Sequence, residues 1–279
     1  MQDMDAGGCI GGMPLQVGAP RVYRELAELG ITREQRLTPD LLYPFDQFHY
    51  HGIDAVRAAA GLIGLGRENR VLEIGSGLGG PARYLAHTVG CHVMALELDQ
   101  AVHDIASDLT RRCGLHSLVS HVQGDALSHP LEVGGFDTAV SWMAIHQIPE
   151  RPRLMERLAQ TVRPGGHVYL EDFVLRESSS REDYLAMRHV LHAVTLTDAE
   201  DLAQELEDAG FDEIDMTDMS PSWGSFSRAR AKTFSENKDR HVRVHGEETA
   251  ARLEQYFSAV ERQFTSGSFG GVRICARRP

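Results

Sequence analysis

The sequence predicts an α/β protein built on an open, mostly parallel, doubly wound sheet. Three observations carry that expectation. Between residues 70 and 173, apolar β-like runs alternate with helix-like runs, the order produced when parallel strands are joined by crossover helices. The first β-like run passes directly into a glycine-rich turn and then a helix, "RVLEIGSGLGGPARYLA" at 70–86. Acids close several of the β-like runs, at Glu73, Glu97, Asp125 and Glu171. In an open α/β sheet, ligands bind beyond those strand ends.

The elements follow in order. "RVYRELAELG" (21–30) has the apolar spacing of a short helix ending at Gly30, and "DAVRAAAGLIGLG" (54–66) that of a second helix leading into the core. Between them lies "LLYPFDQFHYHG" (41–52), dense in aromatics and histidines. "RVLEIG", "HVMALEL", "VSHVQGD", "FDTAVSWM" and "HVYLEDFV" read as strands one to five. Helices "GPARYLAHTVG", "AVHDIASDLTRRCGL" and "RPRLMERLAQTV" come between them, the last closed by a turn at "RPGG" (163–166). An acidic helix, "LTDAEDLAQELEDAGF", precedes a sixth strand, "DEIDMTDMS". Two helical stretches, "SFSRARAKTFSENKDRHVRV" and "EETAARLEQYFSAVERQF", then lead through the turn "TSGSFGG" to a closing strand, "VRICARR", expected to pair antiparallel with strand six. The expected organisation is a flexible N-terminus over 1–20, a helical cap over 21–66, and the sheet domain over 67–279. Helical lid insertions are expected at about 176–197 and 221–266.

Composition narrows the class of ligand. The 279 residues carry a formal net charge of −12 with no concentrated basic block, which argues against nucleic acid or an anionic membrane and for a small molecule. Cys9, Cys91, Cys113 and Cys275 are widely spaced, without CxxC or zinc-type spacing, and read as reduced thiols. The N-terminal twenty residues lack the charge and apolar run of a signal peptide, and no apolar stretch reaches membrane-spanning length. A cytoplasmic protein is expected. A homo-oligomer is compatible with the sequence.

The glycine loop decides the cofactor class. A strand, a tight glycine turn and a helix N-terminus turn backbone N–H groups toward a ligand. An acid two residues before the first glycine would repel a pyrophosphate and attract an ammonium group, so Glu73 argues against a dinucleotide. The block "EIGSGLGG" (73–80) resembles motif I of the class I S-adenosylmethionine-dependent methyltransferases, written (D/E)xGxGxG. The later blocks, Glu97 after strand two, "GDA" at 124–126, "FDTAVSWMAIHQIP" and "VRPGG", fall in that family's order. The resemblance is strong over about 45–175 and implies a Rossmann-like seven-stranded sheet with helical lid insertions, and S-adenosyl-L-methionine as cofactor. It implies that the cofactor meets Glu73, Gly75, Ser76, Gly77 and Gly79, then Glu97 and Leu98 at the ribose, Asp125 and Ala126 at the adenine, and Ser141.

The arrangement of "FDQFHYHG", "LEDF" and the late "W…F…R" is similar to the small-molecule branch that includes sarcosine/dimethylglycine-type N-methyltransferases. The build of enzymes that methylate sterols, quinones and prenyl chains is also similar, whereas the NPPY-type motif of nucleic-acid and protein methyltransferases is absent. Amine N-methylation or C-methylation of a prenyl-type alkene is favoured, with O-methylation as a further outcome. Phe48, Tyr50, Trp142, Phe173, Trp223 and Phe226 are the expected acceptor-lining aromatics, suited to a cationic product or carbocation. Glu171 is the expected base or cation stabiliser, because an acid ending a central buried strand is costly unless used. His146 and His49 are the other candidate bases. Asp46, His49 and His51 lack metal-ligand spacing, so no metal site is expected, and Mg2+ would enter only with a diphosphate acceptor. The competing reading is a noncatalytic S-adenosylmethionine-binding sensor or partner subunit.

Overall fold

The computed structural model describes residues 19–279. The expected flexible stretch lies almost wholly outside them, as does Cys9. Seven strands form one sheet in the order β3-β2-β1-β4-β5-β7-β6. These are β1 Arg70–Ile74, β2 His92–Glu97, β3 Val119–Gln123, β4 Phe136–Trp142, β5 Val162–Leu175, β6 Asp212–Asp218 and β7 Phe269–Arg277. The first five are mutually parallel, and β7 runs antiparallel between β5 and β6. The order reverses at β1/β4, so the two strand ends beneath a doubly wound sheet's usual ligand crevice carry the glycine loop and the segment after β4.

Eleven helices are described: α1 Arg21–Glu28, α2 Pro39–Asp46, α3 Ile53–Ile63, α4 Gly80–Thr88, α5 Gln100–Arg112, α6 Arg151–Thr161, α7 Arg181–Leu191, α8 Ala199–Asp208, α9 Ser220–Glu236, α10 Lys238–His245 and α11 Glu247–Ser266. The sheet's alternation sorts them. Leu72, Ile74, Val168 and Leu170 pack with Leu154, Met155 and Leu158 of α6 and Leu202 and Leu206 of α8 on one face. Val71, Val93, Val140 and Tyr169 pack with Ala55 and Val56 of α3 and Leu85 of α4 on the other. A third cluster unites the lid helices around Trp223, Tyr50, Phe173 and Phe257. A fourth holds α1 and α2 against Val102 and Leu109 of α5.

Two boundaries depart from expectation, each because a partner strand extends the pairing. "RPGG" is not a turn outside the sheet but the first part of β5. There Gly165 N donates to Arg278 O at 2.7 Å, and Arg278 N donates to Gly166 O at 2.8 Å. Likewise "FGG" (269–271) is strand. A β-carbon at Gly271 would collide with the Trp223 indole, so the missing side chain makes room for the lid. That glycine serves packing, not a turn.

The cap is tied to the core by a buried ion pair. Arg83, on α4, donates to Asp46 Oδ2 at 2.8 Å, to Thr110 Oγ1 at 3.0 Å and to the Leu78 carbonyl at 2.6 Å. Both charged side chains are wholly inaccessible to solvent. Removing one partner of such a pair leaves the other charge uncompensated, which costs about 3–5 kcal/mol. Asp46→Leu should therefore lower stability by about that amount in denaturant unfolding, whereas the double variant Asp46→Leu/Arg83→Met should lose clearly less. Equal losses in the two would show that the charges do not act as a pair.

Candidate functional site

A cavity opens at the carboxyl ends of β1, β2 and β4, roofed by residues 46–50 and by the lid. Its floor is the loop after β1. Gly75 has φ +66°, and a β-carbon there would strike the Ala144 side chain in the loop after β4. Only glycine lets the two loops approach this closely. Across the cavity Glu97 is held by two backbone donors, Gly77 N at 2.8 Å and Asp99 N at 2.9 Å. Its carboxylate is thus oriented before any ligand arrives, although burial raises its pKa. Asp125 accepts from Leu127 N at 2.8 Å and also lines the cavity.

Glu73 lies on the same wall, 2% exposed. Burial raises its carboxyl to about 8, with Glu97 adding repulsion and Arg83 opposing the rise. One Glu73 oxygen, Ser76 Oγ and Trp142 Nε1 are buried and have no hydrogen-bond partner. All three residues line the cavity. Buried polar atoms without partners are rare in native structures, and this set is suited to a ligand carrying both donors and acceptors.

The sites expected for the cofactor are thus mostly together. Glu73, Gly75, Ser76, Gly77, Glu97, Leu98, Asp125 and Ala126 line this cavity. Gly79 and Ser141 do not. Gly79 faces His121 and Arg83, and Ser141 donates to the Ile74 carbonyl at 3.0 Å, bracing β4 on β1. Of the expected acceptor aromatics, Phe48, Tyr50, Trp142 and Phe173 line the cavity. Trp223 stands behind it, fully buried and stacked on Tyr50 at 4.4 Å. Phe226 lines a second cavity beneath the lid.

The expected bases separate more sharply. Glu171 is 1% exposed but is not among the cavity residues. One of its oxygens accepts from Tyr169 Oη at 2.5 Å and from Arg273 Nε at 2.9 Å, making a brace between β5 and β7. The arginine partner, 102 residues away in sequence, pairs with that one oxygen, while the other, Oε2, is buried with no hydrogen-bond partner. His49 lines the cavity, with Nε2 3.0 Å from the Gly52 carbonyl. Burial lowers it to about 4, so at neutral pH it is an uncharged donor to that carbonyl.

His146 is placed differently. It sits in a short 3-10 turn, Ile145–Gln147, directly after β4, and lines the cavity. Its Nδ1 is 2.6 Å from Asp172 Oδ1, and its backbone N donates to Asp172 Oδ2 at 3.1 Å. Val194 and Thr195 both donate to the His146 carbonyl, at 2.9 and 3.0 Å. The acid Asp172 therefore holds Nδ1–H and leaves Nε2, which lies 3.4 Å from the Gln147 side-chain amide nitrogen, as the basic nitrogen. Asp172, the residue after Glu171 in "LEDF", ends strand five among the candidate residues of the sequence, with no role distinct from its neighbour. Successive strand residues face opposite sides, and only the register of the turn after β4 shows that the even-numbered acid meets the histidine. Met143, at φ +61°, and Tyr256 and Leu191 from the lid also line the cavity and were not expected.

No metal site was expected, yet Glu25, His241 and His245 bring three ligand-type atoms within 4.8 Å of one another. Glu25 is already engaged there by Arg240 at 2.5 Å and His245 at 2.8 Å. No helix among the described residues is long and apolar enough to cross a membrane.

Comparison with known proteins matches residues 43–215, more than half of the chain, to the family model of a methyltransferase domain. The glycine/sarcosine/dimethylglycine N-methyltransferase of Actinopolyspora halophila is 30% identical over 165 residues, covering 59% of this chain and 29% of that protein. The 27-O-demethylrifamycin SV methyltransferase of Amycolatopsis mediterranei is 26% identical over 227 residues, 79% of this chain and 81% of that one. Among solved structures, phosphoethanolamine N-methyltransferase 2 of Haemonchus contortus, in complex with phosphomonomethylethanolamine and S-adenosylhomocysteine, superposes with a TM-score of 0.79 at 18% identity, covering 95% of this chain and 58% of that one. This chain thus spans under a third of the first of these relatives and little more than half of the last.

The state of Glu73 gives a test without any acceptor. Its folded-state pKa, about 8 against an ordinary 4.5, makes the folded protein bind an extra proton between those values. Stability contributed by that proton is present at low pH and lost as pH rises through the window. In thermal melts Glu73→Gln should therefore gain stability over the parent as pH goes from 5 to 8.5, while binding S-adenosylmethionine more weakly in calorimetry. A stability difference that does not change with pH would refute the assignment.

Proposed function

Because the chain belongs to the methyltransferase-domain family, we propose that it transfers a methyl group from S-adenosyl-L-methionine to a hydroxyl of a small, largely apolar molecule. The observation that carries the hydroxyl reading is the His146–Asp172 pair at the cavity wall.

Glu97 would meet the ribose hydroxyls, Asp125 and Ala126 the adenine, and Glu73 with the Gly75–Gly77 loop the amino-acid end of the cofactor. The unpartnered oxygens of Glu73 and Ser76 fit that polar end. When bound, S-adenosylmethionine supplies an electrophilic methyl group.

The chain's own residues then have three tasks. Tyr50, Phe173, Leu191 and Tyr256 bury the acceptor and exclude water, which keeps the reacting groups apart from hydrolysis. The loop holding His146 sets the acceptor's position, through the two amides that clamp its carbonyl. His146 Nε2 removes the hydroxyl proton, and Asp172 fixes the tautomer that can do so. A hydroxyl must lose its proton as it attacks and so needs such a base within the step, whereas an amine needs one only beforehand, to shed the ammonium proton. No lysine or arginine lines this cavity among the described residues, so the reactive end of the acceptor has no cationic side chain beside it.

His146→Asn should reduce kcat by roughly 10²–10⁴-fold on the acceptor found by a screen of labelled S-adenosylmethionine against phenols, alcohols, amines and prenyl diphosphates, with cofactor affinity nearly unchanged. Asp172→Asn should follow it by freeing the wrong tautomer. Turnover confined to amines, or near-parental turnover in both variants, would overturn the hydroxyl reading.

Glu171→Gln separates the two candidate acids. It should lower the melting temperature by loosening the β5–β7 brace and leave kcat within a few-fold of the parent, roughly the scale of a residue that takes no part in proton transfer. A kcat loss as large as that of His146→Asn would return the catalytic role to Glu171.

A further inference from the structure

A second cavity, of about 530 Å³, lies between the cap helices α1 and α2 and the lid helices α9, α10 and α11. That volume is in the range of small-molecule sites. Its charge is unusual. Arg21, Arg230 and Arg240 line it against a single acid, Glu25, together with His241, whose imidazole burial holds below its ordinary pKa. Both Glu25 oxygens are used, by Arg240 at 2.5 and 3.3 Å and by His245 at 2.8 Å.

Arg230 makes no ion pair among the described residues. Its guanidinium lies 5.1 Å from the Tyr50 ring centroid, 5.3 Å from that of Phe226 and 4.8 Å from that of Phe257. Its Nε is buried with no hydrogen-bond partner. Aromatic faces offset part of the cost of a half-buried cation, and an anionic partner offsets more.

The two cavities are neighbours. Phe48 lines both, and Tyr50, a wall of the first, carries Arg230 against its ring. We propose that the second cavity binds a carboxylate at the far end of the methyl acceptor, with Arg230 as the anchoring residue and Phe226, Phe257 and Phe48 enclosing a flat apolar body. The acceptor class is then a hydroxy acid with an aromatic or alicyclic frame. This rests on reading the first cavity as the acceptor's reactive end. A divalent cation at Glu25, His241 and His245 is the competing occupant, but it would have to displace Arg240 from Glu25 and sit beside Arg21.

The test uses the full chain and needs no identified acceptor. 2-Naphthoate is titrated by calorimetry against the parent, Arg230→Met, Arg230→Lys and His146→Asn, with 2-naphthylmethanol as the uncharged probe and Zn2+ as a separate titrant. Saturable naphthoate binding is expected, at least about tenfold tighter than the alcohol, in keeping with a charge-assisted pair. Arg230→Met should lose about tenfold and Arg230→Lys should recover part of it. His146→Asn should bind naphthoate like the parent even though turnover is lost, so a failure of the hydroxyl mechanism is read separately from a failure of this site. The parent's preference between acid and alcohol needs no variant and stands even if Arg230→Met folds poorly. Equal binding of the two probes, naphthoate affinity indifferent to Arg230, or micromolar Zn2+ binding removed by His241→Ala would each overturn the proposal.

Discussion

The roof of the site and the glycine loop beneath it are held to each other by the desolvated contact between Arg83 and Asp46. Arg83 sits in the first helix after the glycine loop and holds the Leu78 carbonyl of that loop, the Thr110 hydroxyl of α5 and the last residue of α2 with one guanidinium. The residues that follow Asp46 are Phe48, His49 and Tyr50, the roof of the cavity. The roof is therefore referenced to the loop on which a cofactor would lie as well as to the lid, whose Trp223 stacks on Tyr50. A guanidinium suits this task because its planar fork makes several directed bonds that lysine cannot make.

The second constraint is electrostatic. Glu73 and Glu97 are both buried on one wall; burial raises the cost of ionising each, and Glu97 adds to it at Glu73. Glu97 is supported by two backbone amides, while Glu73 keeps one oxygen without a partner. Two acids so close thus have different states before a ligand arrives: one preorganised, the other strained by desolvation. A cationic ligand group relieves the strain, so part of the protein's intrinsic instability is coupled to binding.

Much of this was legible in the residues. The parallel strands, the glycine loop and the acids at 73, 97 and 125 follow local rules, in which periodicity, turn chemistry and strand ends are written within a few residues of one another. The antiparallel pairing of β7 with β6 was legible for the same reason. What local pattern could not resolve was pairing across the sheet. Glu171 looks costly until Arg273 is placed beside it, and Asp172 looks idle until the turn after β4 brings in His146. Trp223 reads as a lining aromatic, but Gly271 admits it into the core. The histidine pair at 241 and 245 acquires its meaning from Glu25, more than two hundred residues earlier.

The placement of β7 bears on how the protein is made. Strand β6 hydrogen-bonds only to β7 within the sheet, and β7 also supplies the partner for β5. All of α9, α10 and α11 lies in the stretch between β6 and β7, residues 219–268. During synthesis the parallel half, β1 to β5, can assemble as soon as it leaves the ribosome, whereas one edge of β5 stays bare until the final strand emerges. Throughout that interval the unlidded cavity and an open strand edge coexist. This makes the nascent chain, more than the finished one, the form most exposed to wrong pairing and to chaperone capture.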